Sequence, residues 1–110
     1  MIANAAAAKS AAKSAAGQYL APPPLISAMV DVTRPTPDMR ICDPACGTGG
    51  FFLAAYDYIV KNNPHLDRAQ KQHLRSGAFT GWEIVENTAR LCAMNMLLHG
   101  VEKPNVVYRD

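Results

Sequence analysis

The chain has 110 residues, a formal net charge of +2 and a hydrophobic fraction of 49%. This length suits one small domain, and the hydrophobic fraction excludes wholesale disorder. The net charge is too small to indicate nucleic-acid binding by itself. No apolar run approaches the roughly 18–20 residues that cross a bilayer, so we expect no membrane span.

The three cysteines, Cys42, Cys46 and Cys92, form neither a CxxC pair nor a disulfide framework. Reduced thiols of this kind predict a cytoplasmic protein. Export is not expected either, because two lysines interrupt the Ala-rich start of the chain. Cys42, Cys46 and His65 match no zinc-ligand spacing, so we expect no metal site.

The first part of the chain predicts a helix and then a short strand. Residues 2–16 are rich in alanine but carry no apolar stripe, so we interpret 1–16 as a frayed helix or a linker. Proline is tolerated in a first helical turn, which predicts a helix from Pro24 to about Val32. Further prolines end that helix, and Met39–Cys42 is a strand candidate.

The middle of the chain predicts two more helices. The first begins near Thr48 or Gly49 and has an apolar face made of Phe52, Ala55, Tyr56, Ile59 and Val60. Asn63 as N-cap and Pro64 at the first helical position predict the second helix, which is mostly polar. We expect its histidine, His73, to be solvated. Its basic residues, Arg68, Lys71 and Arg75, are typical of a solvated face.

The last part predicts strand, helix and strand. The strands are Ala78–Ile84 and Asn105–Tyr108, and the helix runs from about Glu86 to Leu98 and ends at Gly100. The apolar face of this helix contains Val85, Ala89, Cys92 and Met96, broadened by Leu91, Met94 and Leu98. Strands that alternate with helices predict βαβ units and a parallel sheet.

The sequence DPACGTGG joins the first predicted strand to a helix. Free N–H groups at a helix start favour an anion, and glycines let a ligand approach the backbone. No lysine follows the glycines, so a Walker loop is disfavoured, and Phe52 stands where GxGxxG needs its third glycine. Asp43 would repel a pyrophosphate but suits a ligand with an ammonium group beside its carboxylate. A plain glycine turn remains the alternative.

Two further acidic residues lie at strand ends. Glu83 follows the second predicted strand, where its carboxylate could accept hydrogen bonds from both hydroxyls of a ribose. The alternative is a solvated glutamate at a helix N-terminus. Asp110 ends the third strand and could accept a hydrogen bond from an adenine amine, or could be an ordinary strand-end aspartate.

Four sequence blocks resemble one family in order and spacing. They are GQYLAPPPLISAMV (17–30), DPACGTGGF, GWEIVENTARLCAMNMLLHGVE (81–102) and NVVYRD (105–110). Together they resemble the modification subunit of type I restriction–modification systems, an S-adenosylmethionine-dependent adenine-N6 DNA methyltransferase of the γ arrangement. The resemblance covers residues 17–110, which we take as the N-terminal part of the cofactor-binding domain, and leaves 1–16 unassigned.

The resemblance implies an α/β fold, a Rossmann-like class I methyltransferase sheet that is partial here, with three parallel strands and flanking helices. It implies S-adenosylmethionine as cofactor, with Thr48 and the adjacent glycines at its methionine end, Glu83 at its ribose, and Ile84 or Trp82 against its adenine. Asp110 would approach the adenine amine, and residues 18–23 would close over the methionine. The cofactor-binding residues implied are Gln18, Tyr19, Leu20, Ala21, Pro22, Pro23, Asp43, Cys46, Gly47, Thr48, Gly49, Gly50, Glu83, Ile84 and Asp110.

The chain departs from the family pattern in two places. Where the family has Tyr-Phe-Thr-Pro-Arg, this chain has Leu20, Ala21 and Pro23 in place of Phe, Thr and Arg, which predicts weakened cofactor binding. The family's catalytic (N/D)PP(Y/F) motif is absent, since Asn63-Pro64 is followed by His65. We therefore expect a fragment truncated before that motif, with no catalytic residue of its own.

In the complete protein the resemblance implies methylation of DNA adenine, which protects host DNA. The implied partners are DNA and the specificity and restriction subunits of the same system. Two alternatives remain. One is a truncated, inactive module that binds S-adenosylmethionine or a partner subunit only, and the other, less favoured, is a small-molecule methyltransferase.

Overall fold

The computed structural model describes residues 21–109 of the chain. The predictions made for 1–16 and for Gln18, Tyr19, Leu20 and Asp110 therefore lie outside the described residues. The elements, in chain order, are α1 (Pro23–Thr33), β1 (Ile41–Asp43), α2 (Gly50–Asn62), α3 (Arg68–Ser76), β2 (Phe79–Glu83), α4 (Glu86–His99) and β3 (Asn105–Tyr108). This order and the bounds of β3 are those that the sequence predicts.

The described strands form one parallel sheet in the order β1-β2-β3. Ile41 pairs with Phe79 and Thr80 pairs with Asn105, so β2 is central. Because the strands are parallel, their carboxyl ends lie at one edge of the sheet, where α/β folds bind ligands. The predicted βαβ arrangement is confirmed.

Strand β1 is displaced along the chain from its predicted position. Met39 donates its N–H to the Thr36 carbonyl in a turn, and pairing begins only at Ile41, whose N–H donates to the Ala78 carbonyl at 2.6 Å. The strand continues to Asp43 rather than ending at Cys42. Asp43 therefore belongs to the strand and leads directly into the glycine loop.

Helix α2 lies at the centre of the hydrophobic core. Its buried residues are Phe51, Phe52, Ala55 and Ile59. The prediction omitted Phe51 and wrongly included Val60, which is 41% exposed. The buried stripe is rotated toward Phe51 because the helix packs against α1 as well as against the sheet. On the sheet side, the rings of Phe52 and Phe79 meet edge to face with centroids 5.6 Å apart.

The predicted start of α3 at Asn63-Pro64 is wrong. Asn63 ends α2 instead, and its side-chain amide donates to the Ile59 carbonyl at 2.8 Å. Helix α3 begins after Asp67, which forms a capping box with Gln70: Asp67 accepts the Gln70 N–H, and the Gln70 side chain accepts the Asp67 N–H. This reciprocal pair satisfies two donors that otherwise lack partners at a helix start.

His73 on α3 is half-buried rather than solvated. Its Nε2 lies 2.8 Å from the carbonyl oxygen of Met39, so it ties α3 to the segment before β1. The neighbouring Leu74 is buried in the core, which holds this face of α3 against the domain. The basic residues Arg68 and Lys71 are exposed as expected.

Helix α4 buries Ala89, Cys92 and Met96 against the sheet, as predicted. The prediction is wrong for the other four residues assigned to this apolar face, because their side chains are 49–86% exposed. They are Val85, Leu91, Met94 and Leu98. Gly100 ends the helix at φ 111°, as its position in the sequence predicts.

Candidate functional site

The candidate site is the loop that joins β1 to α2. The Asp43 side chain at its start is buried, and its Oδ1 accepts the N–H of Ala45 at 3.0 Å. The Cys46 N–H donates to the Trp82 carbonyl at 3.0 Å, and the Gly49 N–H donates to the Cys46 carbonyl at 3.0 Å. These bonds fold the loop back on itself and attach it to the end of β2.

Backbone conformation favours glycine at two positions of this loop. Gly47 has φ 57° and Gly49 has φ 91°, which L-residues with side chains rarely adopt. A Cβ on Gly49 would also lie 3.0 Å from Sγ of Cys92. Part of the preference for glycine thus comes from close packing on α4 and does not depend on a ligand.

A third glycine, Gly81 in β2, was not singled out by sequence reasoning. A Cβ there would lie 2.9 Å from Sγ of Cys46 and 2.9 Å from Cε2 of Phe52. The loop therefore packs directly on the strand backbone at Gly81. The available signal was a glycine inside a strand, which often marks a close backbone approach.

Glu83 joins the end of β2 to the glycine loop. Its Oε1 accepts the Gly47 N–H at 3.1 Å, and its Oε2 accepts the Val85 N–H at 2.9 Å. Glu83 is half-buried, so part of the residue is open to solvent where the strands end. The glycine loop and the acidic residue at the end of β2, which the sequence analysis treated separately, are thus in direct contact.

Asn95 on α4 contacts the loop from another side. Its Nδ2 donates to the carbonyl oxygen of Thr48 at 2.9 Å. Sequence reasoning assigned Asn95 no role, although an amide between the buried residues Cys92 and Met96 is a signal that a polar partner lies nearby.

The remaining predicted residues that the structure describes differ in burial. Cys46 is buried beside Gly81, and Gly50 begins α2 with its Cα facing Ile26 of α1. Ile84 is 63% exposed just beyond Glu83. Ala21 packs against the core, whereas Pro22 and Pro23 are exposed at the start of α1. Contact of these residues with a cofactor stays a prediction.

Residues 21–109 contain neither a membrane-spanning helix nor a metal-binding cluster. No helix in that range is both long and apolar enough to cross a membrane. Within the same range, no group of three or more His, Cys, Asp or Glu side chains is placed to hold a metal ion.

The fold agrees with comparisons to known proteins. The sequence profile of the N-6 DNA Methylase family matches residues 2–110. The chain belongs to the N-6 DNA methylase family. Its curated relatives include the type I restriction enzyme StySPI methylase subunit of Salmonella potsdam, 42% identical over 94 residues. The EcoKI methylase subunit of Escherichia coli strain K12 is 40% identical over 93 residues.

Each of these two alignments covers 82% of this chain and 18% of the relative. The chain therefore spans about a fifth of the length of the methylase subunits that it matches. In the matching solved structures, too, the aligned part is about a fifth of the matched chain. The crystal structure of the EcoKI M protein matches with a TM-score of 0.77 and 33% identity, over 82% of this chain and 21% of that one.

A modification subunit of a putative type I restriction enzyme from Vibrio vulnificus YJ016 matches with a TM-score of 0.75 and 30% identity, over 88% of this chain and 20% of that one. The three parallel strands with flanking helices are thus the methyltransferase fold of this family. The predicted fold class and family are confirmed.

Proposed function

We propose that the loop between β1 and α2 binds S-adenosylmethionine, and that the complete protein is an adenine-specific DNA methyltransferase of a type I restriction–modification system. One observation carries the proposal. The Glu83 carboxylate is hydrogen-bonded to Gly47, so a ribose acceptor and a glycine loop occupy the same edge of the sheet.

Glu83 has acceptor capacity for a ribose. A carboxylate offers about four lone-pair sites, and the bonds from Gly47 and Val85 use one on each oxygen. The remaining sites suit the two adjacent hydroxyls of a ribose. The backbone bonds also fix the carboxylate in place, so less freedom is lost when the ribose binds.

The loop itself suits the methionine half of the cofactor. The first N–H groups of α2, which starts at Gly50, favour a carboxylate. The Asp43 side chain is buried and accepts the Ala45 N–H, so we assign it a role in shaping the loop. We also assign its carboxylate a negative potential that favours the ligand's ammonium group. S-adenosylmethionine supplies a sulfonium-bound methyl group when it is bound.

The partners of the complete protein are proposed from its relatives. Proteins named as type I methylase subunits match this chain, and a matching structure belongs to a study of complex assembly in a type I restriction–modification system. We assign DNA as substrate, specificity and restriction subunits as partners, protection of host DNA as the role, and the cytoplasm as location. The chain lacks the (N/D)PP(Y/F) motif, so methyl transfer is assigned to the complete protein.

Cofactor binding is the property of this loop that the proposal requires first. Equilibrium dialysis of the chain against radiolabelled S-adenosylmethionine measures it directly. We expect saturable binding that S-adenosylhomocysteine displaces and that ATP and NAD do not. A folded chain without saturable binding, or equal displacement by ATP, contradicts the proposal.

A further inference from the structure

The loop is held by two side chains that come from different elements. Glu83, after β2, accepts the N–H of Gly47, and Asn95, on α4, donates to the carbonyl of Thr48. These contacts join residues 36 and 47 positions apart in the chain. The ribose role proposed for Glu83 explains why Glu83 lies beside the loop. The proposed function does not explain the contact made by Asn95.

The contacts fix two peptide planes rather than two atoms. A peptide unit is planar, so holding its oxygen and its nitrogen fixes its orientation. In the unit joining Thr48 to Gly49, the oxygen accepts from Asn95 and the nitrogen donates to the Cys46 carbonyl. In the unit joining Cys46 to Gly47, the oxygen accepts from Gly49 and the nitrogen donates to Glu83.

A third peptide unit, which joins Gly47 to Thr48, lies between these two units. Neither Glu83 nor Asn95 bonds to it in the hydrogen bonds described above. Its N–H and carbonyl are therefore oriented by the two fixed planes on either side. Glycine at 47 would otherwise leave this unit broad conformational freedom, because the unit rotates about the ψ bond of Gly47, where no Cβ restricts it. Asn95 removes that freedom on the Thr48 side.

From this geometry we propose that Asn95 is a positioning residue for the methionine half of S-adenosylmethionine, acting through the Thr48 carbonyl. The inference rests on the proposed function. Packing alone does not require an amide here, because the neighbouring buried residues of α4, Cys92 and Met96, meet the loop with sulfur and carbon atoms. The amide supplies the donor that the Thr48 carbonyl accepts.

The test compares two ligands that share the adenosine half. Asn95→Leu removes the donor at similar volume, and Asn95→Asp replaces the donor with an acceptor. We expect either variant to raise the Kd of S-adenosylmethionine about five- to tenfold, the size of one neutral hydrogen bond. The Kd of methylthioadenosine, which lacks the amino-acid part of methionine, should change less than about twofold.

Asn62 provides the matched control. Its side-chain amide also donates to a backbone carbonyl, that of Tyr58 at 2.8 Å, but at the far end of α2, about 18 Å along the helix from Gly50. Asn62→Leu and Asn62→Asp should leave both Kd values unchanged. Circular dichroism melts of all four variants establish that each is folded under the binding conditions.

The outcomes separate the inference from the proposed function. An Asn95 variant that weakens both ligands equally shows general damage to the domain and overturns the positioning role, as does one that weakens neither. A wild-type chain that is folded by circular dichroism and binds neither ligand contradicts the proposed function itself. Selective loss of S-adenosylmethionine in the Asn95 variants alone supports the inference.

Discussion

At the scale of single residues, the loop depends on glycines for two different reasons. Gly49 needs a positive φ and also needs the space beside Cys92, whose Sγ would lie 3.0 Å from an added Cβ. Gly47 shares the positive φ, and it donates to Glu83 through a backbone N–H that any residue except proline would also supply. The sequence pattern of glycines does not distinguish these requirements, because it contains neither contact.

Gly49→Ala should lower the free energy of unfolding by about 2–4 kcal/mol, from the left-handed backbone and the overpacking together. Thermal or urea unfolding measures the loss. Adding Cys92→Ala removes the atom that the new Cβ meets, so the cost of Gly49→Ala should be smaller in that background. An equal cost in both backgrounds would show that packing against α4 contributes nothing.

At the scale of elements, local signals predict helix and strand ends well where one signal acts alone. Gly100 ends α4, and Asn105–Tyr108 forms β3, both as the sequence predicts. Where two signals compete, the stronger local structure decides: Asn63-Pro64 predicts a helix start, but the capping box of Asp67 and Gln70 forms the actual one. That box is also a readable pattern in the sequence.

Asp67→Ala should destabilise the domain by about 0.5–2 kcal/mol, because it removes the acceptor for the first turn of α3. Asp67→Ser, which keeps a capping oxygen, should lose much less. Urea unfolding of the two variants and the parent chain gives the comparison. If alanine and serine at this position were equally stable, the cap would not be what holds the start of α3.

Contacts between distant parts of the chain could not be predicted from sequence periodicity. The apolar pattern of α4 identified Ala89, Cys92 and Met96 correctly, but it could not show which side of a helix rich in leucine and methionine faces solvent. The Gly47–Glu83 and Thr48–Asn95 bonds depend on how β2 and α4 dock against the loop. The sequence identifies Gly47, Glu83 and Thr48 but not Asn95, and the fold supplies the contacts between them.

At the scale of the whole molecule, the described part leaves apolar and backbone groups without cover. Strand β1 is an edge of the sheet, although Ile41 and Asp43 are buried. The outer side of α4 exposes Leu98 at 86% and Leu91 at 49%. An open edge strand and an exposed apolar helix face both favour association with another chain.

We therefore expect the isolated chain to self-associate as its concentration rises and to be unstable as a monomer. Size-exclusion chromatography with light scattering over a dilution series measures the association, and thermal melting at each concentration measures the stability. A chain that stays monomeric and melts cooperatively at every concentration would contradict this expectation.

The central claim is that Glu83 and the glycine loop form one S-adenosylmethionine site. The most direct test is the Kd of S-adenosylmethionine for Glu83→Ala beside its parent, measured by equilibrium dialysis on the complete methylase subunit, with circular dichroism to show that both are folded. Losing one or two charge-assisted hydrogen bonds should weaken binding about ten- to a hundredfold. Methylthioadenosine should weaken in parallel, because it carries the same ribose. An unchanged Kd for S-adenosylmethionine in a folded Glu83→Ala chain would contradict the account.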